Sequence, residues 1–71
     1  MHSINGYTKI KAILGVFRAG EKLKGDTIGQ RLRKMGYKYT NGHLKMFIYH
    51  HMLYQHLEKE NINKVVHYYI P

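Results

Sequence analysis

The sequence predicts a small α+β domain: three short helices, a one-rung strand between the first two, and a C-terminal β-hairpin. Three observations carry that expectation. Apolar residues recur at i, i+3, i+4 and i+7 in three separate stretches. A glycine follows the first two of them. Beyond Tyr54 the chain turns rich in β-branched and aromatic residues, which favour strands. The chain has 71 residues, enough for one domain spanning 1–71. A domain of this size buries only about 60% of its unfolded surface. It therefore depends on good packing, a metal, disulfides or a partner chain. There is no cysteine, so disulfides and thiolate zinc sites are excluded.

Residues 1–7 are a short polar lead with the turn signal Asn5-Gly6, and fraying is expected there. Thr8 is read as the cap of a first helix that runs to Ala19 and stops at Gly20. Ile10, Ile13, Leu14 and Phe17 form its core face. Its other side carries Ala12, Gly15, Val16 and Ala19, which are small and apolar. Two readings stand: a face on which a second copy packs to make a homodimer, or alanines chosen for helix propensity.

Leu23, alone between lysines, suits a single bridge that drops one side chain into the core. The second helix opens at Asp26 or Thr27, with Thr27 and Gln30 spaced as a capping box. Ile28, Leu32 and Met35 face inward, while Gln30, Arg31, Arg33 and Lys34 face out. Gly29 lies where a side chain would hold the next helix away, and Gly36 suits the position after a helix end. The turn from Gly36 to Thr40 leads to a third helix, capped by Thr40 and running from Asn41 to Tyr54. Leu44, Phe47, Ile48 and His51 form its inner face, with His51 a buried, hydrogen-bonded histidine. Met46 and Leu53 fall on the outer arc, where polar groups are expected. Thymine-methyl contact, packing on a second chain, or a face rotated by one residue would each explain them. The hairpin is expected as His56 to Lys59 and Lys64 to Ile70 around a turn at Glu60-Asn61-Ile62-Asn63, with Leu57, Val66 and Tyr68 on one face.

Twelve Lys and Arg against four Asp and Glu give a net charge of +8. That balance points to a nucleic-acid partner. No apolar run approaches the roughly 18 residues of a membrane span, and the N-terminus lacks a signal-peptide layout. Seven tyrosines against two phenylalanines suit a half-buried surface that faces a polar partner. Six histidines raise the question of a metal. His50 and His51 point about 100° apart on a helix, and His43 lies two turns from His50, so no metal and no cofactor is expected. The few carboxylates show no paired acid–base arrangement, and there is no phosphate loop or nucleophile motif, so no catalytic residue and no enzyme activity is expected.

With the order helix, strand, helix, helix, strand, strand in place, the chain from about Thr8 to Ile70 resembles the winged-helix family of DNA-binding domains. Ile28-Gly29-x-x-Leu32 is similar to the family's Ile-Ala-x-x-Leu in its second helix. Thr40-Asn41-Gly42-His43-Leu44 with Ile48 is similar to the start of its recognition helix. The Lys- and Asn-rich tip between the last two strands resembles the wing. Size, lack of cysteine and the Lys/Ile/Tyr bias look like the stand-alone regulators of thermophilic archaea and their viruses, which implies a cytoplasmic protein.

The resemblance implies sequence-specific binding of double-stranded DNA by a transcriptional regulator. The recognition helix, about 41–54, would enter the major groove, and the wing, 58–65, would rest on the backbone or minor groove. Arg31, Lys34, Lys38, Lys59 and Lys64 are the candidate phosphate ligands, and the helix start at Thr40 and Asn41 adds free amides. Asn41 can pair with adenine and Lys45 can reach guanine, with His43, Met46 and Tyr49 further along. Rival readings are a protein-interaction module, which the exposed Met46, Tyr49 and Leu53 would suit, and an RNA binder that stacks bases on tyrosines.

Overall fold

The computed structural model describes residues 6–71. Of the polar lead, residues 1–5 lie outside the described residues. The elements are α1 (Gly6–Leu14), β1 (Lys22–Lys24), α2 (Gly25–Lys34), α3 (Asn41–His51), β2 (Glu58–Ile62) and β3 (Val65–Tyr69). This is the α+β order expected from the sequence, compatible with a winged-helix layout. The strands form one antiparallel sheet in the order β1-β3-β2.

α1 differs from expectation at both ends. Its described part, Gly6–Leu14, includes Thr8, which therefore lies inside the helix and is not its cap. It ends at Leu14, because the next amides bond three residues back: Val16 to Ile13 and Phe17 to Leu14, each at 3.2 Å. Val16, three residues beyond Ile13 and four beyond Ala12, shares their side of the chain. Ala12 and Val16 are buried in the chain's own core beside Ile13, while Gly15 and Ala19 stay exposed. The small residues are therefore not one free face, because half of the expected dimer surface is used by the monomer. Gly20 does not stop the helix. It sits at φ +77 in a β-turn closed by the Glu21 amide donating to the Arg18 carbonyl at 3.1 Å.

β1 is a three-residue strand paired at Lys22–Tyr69, Leu23–Tyr68 and Lys24–His67 where a single rung was expected, and Leu23 is buried in the core as expected. α2 starts straight from β1, capped by the extended Lys24 with no side-chain cap bond. The expected Thr27 capping box is thus not made. Ile28 and Leu32 are fully buried, but Met35 lies just past the helix and is exposed. Gly36 at φ +97 ends α2 as expected. Its amide donates to the Arg33 carbonyl, and the Tyr37 amide reaches back to Leu32, both at 3.0 Å, as in a Schellman turn.

Thr40 caps α3, its hydroxyl accepting from the His43 amide at 3.1 Å. The buried line of α3 is Leu44, Ile48 and Met52. His51, expected in the core, is exposed and lies against Phe47 with ring centres 4.8 Å apart. The inner face is therefore turned by one residue near the C-terminal end. The helix also stops at His51. Leu53 is buried and bridges to Leu57, while Tyr54 takes φ +68 and its amide donates to the Leu57 carbonyl at 2.7 Å. This bend carries the chain into β2.

The hairpin turns later than expected. Its two turn residues are Asn63 and Lys64, at φ +52 and +67, which is the type I′ pattern that matches strand twist. Glu60 and Asn61, expected in the turn, are paired with His67 and Val66. The Glu60 carboxylate reaches across β3 to Lys22 Nζ at 2.6 Å. Tyr68 packs on the core, while Val66, on the same face nearer the tip, is exposed.

Candidate nucleic-acid interface

α3 presents one exposed arc, made by Gly42, His43, Lys45, Met46, Tyr49 and His50. Its inner line fixes this arc, because Leu44, Ile48 and Met52 can be buried together only if positions two away face out. Met46 is 61% exposed and Tyr49 is 65% exposed, with the His50 ring edge-on to Tyr49, ring centres 5.2 Å apart. The arc stands proud because α2 comes close behind it. A Cβ added to Gly29 would lie 2.7 Å from Asn41 Oδ1 and 3.6 Å from Leu44 Cδ2. The expected role of Gly29 as the point of helix approach therefore holds.

A groove of about 340 Å³ runs along one flank of the arc. Lys24 from the end of β1, Lys45 from α3 and Lys64 from the hairpin turn all line it, with Asp26, Val66 and Tyr68. Gly25 makes this possible: a Cβ there would sit 3.0 Å from Lys45 Cε, so the bare backbone lets the lysine stem lie across the start of α2. Three lysines from three elements, with Asp26 among them, thus line one trough. Sequence reasoning named Lys45 and Lys64 but missed Lys24 and Gly25. Both are ordinary turn-flanking residues until the pairing of β1 with β3 is known.

A second groove of about 260 Å³ follows the opposite flank, lined by Lys9, His43, Met46, Phe47, His50 and His51. Lys9 was not singled out from the sequence. Its Nζ lies 4.3 Å from the Tyr39 ring centre and 4.6 Å from that of Phe47, so two cation–π contacts hold an ammonium group beside α3. Tyr39 stacks on Tyr37 at 5.9 Å. Burial, with Tyr37 adding to it, holds the Tyr39 hydroxyl's pKa above the usual phenol value.

Other candidates are placed differently. Arg31 is not a free cation: its guanidinium makes two bonds to the Glu21 carboxylate, at 2.6 and 3.0 Å, and a third to the Val16 carbonyl at 2.8 Å. It pins the α1–β1 turn to α2 and is removed from the set of phosphate ligands. The Thr40 hydroxyl is engaged in the cap. Asn41 donates from Nδ2 to Asp26 Oδ1 at 3.2 Å, so its amide joins α2 to α3 where a base contact was expected. Lys34, Lys38 and Lys59 are exposed but line neither groove.

Among the described residues no three His, Asp or Glu come together in a way that could hold a metal ion. No helix there is long and apolar enough to cross a membrane. No protein-family model matches the chain, and no curated protein or solved structure matches it either.

Proposed function

We propose that this protein is a winged-helix domain that binds double-stranded DNA, with α3 in the major groove and the hairpin tip on the adjoining backbone, and that it acts as a transcriptional regulator. The observation that carries the reading is the arrangement of charge about α3. A convex ridge is bordered on one side by Lys24, Lys45 and Lys64 and on the other by Lys9. A duplex groove has the complementary form, a floor of base edges between two rows of phosphate. The net charge of +8 favours the same partner at long range.

Each neutralised phosphate releases counterion and adds about −0.9 to the slope of log affinity against log salt. Four grooved lysines with one or two of the outlying ones correspond to a slope of about −4.5 to −5.4. Affinity should then fall roughly 500- to 2,000-fold between about 50 and 200 mM salt. Titration of a fluorescent duplex, its separate strands and an RNA hairpin across that range tests the reading. A steep slope with preference for the duplex is expected.

One observation favours a second reading, a protein-interaction surface: Met46 and Tyr49 are large, apolar in part and uncovered. Duplex binding that is absent, or indifferent to salt, would replace the first reading with this one.

A further inference from the structure

The chemistry of the ridge itself carries a conclusion about which duplexes it reads. It rests on the DNA-binding reading proposed above. The polar groups at the start of α3 are committed within the protein, Thr40 to the His43 amide and Asn41 to Asp26. The ridge rises through Gly42, where an added Cβ would meet nothing within 4 Å. It then presents Met46 and Tyr49, 61% and 65% exposed. Its crest thus carries the apolar surface of Met46 and Tyr49 beside His43 and His50, and its borders are cationic. A partner that fits must be anionic at two edges and offer apolar groups between them.

On the floor of the major groove the apolar group that distinguishes one base from another is the C5-methyl of thymine. We propose that Met46 and Tyr49 are specificity-determining residues that read thymine methyl groups. Methionine suits this task, since an unbranched thioether adapts its shape to a small apolar knob. Gly42 adds no side chain that would hold the first turn of α3 off the groove floor. Preference among duplexes then follows methyl positions, with the lysines setting affinity alike for all sequences.

The test compares two synthetic duplexes of about 20 base pairs, roughly two helical turns. One alternates dA and dT. The other replaces every thymine by uracil, which removes the methyl and keeps every hydrogen-bonding group. Each fully covered methyl corresponds to about a fourfold change in affinity. The protein should bind the thymine duplex about tenfold more tightly, for two methyls partly to fully covered. Met46→Ala should reduce the preference to about twofold, and Met46→Leu should retain most of it. The salt slope should not move in either variant, because no charge is lost. Position 46 is exposed, so these variants keep the fold. Equal affinity of the parent protein for both duplexes, at a steep salt slope, overturns methyl readout and leaves DNA binding standing. A preference that survives both Met46→Ala and Tyr49→Ala overturns it as well. Failure to bind either duplex removes DNA binding, and this inference with it.

Discussion

Glu21 shows how one side chain can set the geometry of several elements. Its carboxylate receives two bonds from Arg31 and one from the Arg18 amide, at 2.8 Å. Hydrogen bonding from Arg31, then from the Arg18 amide, lowers its pKa from 4.5 to about 2. A group whose pKa is depressed by folding stabilises the fold fully above its unfolded pKa and loses that effect as pH falls through the folded one. Denaturant titration of Glu21→Gln and the parent should show the variant less stable at pH 7. The gap should narrow below about 4.5 and close near 2. A gap independent of pH would mean that packing, not charge, is responsible. Gly29 works by absence. Leucine at this position has no room between Asn41 and Leu44, and Gly29→Leu should cost about 2 kcal/mol by overpacking. Thermal melting checks this, and an unchanged midpoint would contradict the close approach. Gly29 could be anticipated from the sequence because the apolar spacing around it names the face it sits on. The Glu21–Arg31 bond could not, since ten residues separate the pair and only the turn at Gly20 brings them together.

Helix faces were legible where the hydrophobic spacing was regular. Ile28 with Leu32, and Leu44 with Ile48, fall in the core as the spacing predicts. The spacing misleads at the end of α3, where His51 and Met52 are neighbours and a helical repeat continued to Tyr54 selects the histidine. The chain instead leaves the helix at His51, and Met52 becomes a core residue. Met52→Ala should therefore cost about 3 kcal/mol. His51→Ala, a change at an exposed site, should stay within about 0.5 kcal/mol. Chemical denaturation of the two variants decides between the faces, and the reverse ranking would restore the histidine to the core. The hairpin turn was misplaced for a different reason. Glu60-Asn61 has low intrinsic strand preference. Pairing with β3 and the ion pair from Glu60 to Lys22 override it. The turn goes to Asn63-Lys64, where asparagine tolerates positive φ.

At the scale of the molecule, the order of elements was legible because turn residues and pattern changes mark each boundary. The two grooves were not. They depend on β1 pairing with β3, which brings Lys24 beside the hairpin tip, and on α1 lying against the α2–α3 turn, which sets Lys9 between two rings. The same tertiary contacts engage the Arg31 guanidinium with Glu21 and the Asn41 Nδ2 with Asp26. What remains is an exposed helix between cations; Lys22, His67 and Tyr69, which alternate with Leu23 and Tyr68 and so take the outer sheet face, line neither groove. This helix and its borders are the surface proposed to contact a duplex. Backbone amide chemical shifts, followed while a short duplex is added, test it most directly. Perturbations are expected to concentrate from Gly42 to His50 and at Lys24 and Lys64, with little change at Lys22 and Tyr69. Perturbations confined to that outer sheet face, or none at all at saturating duplex, would contradict it.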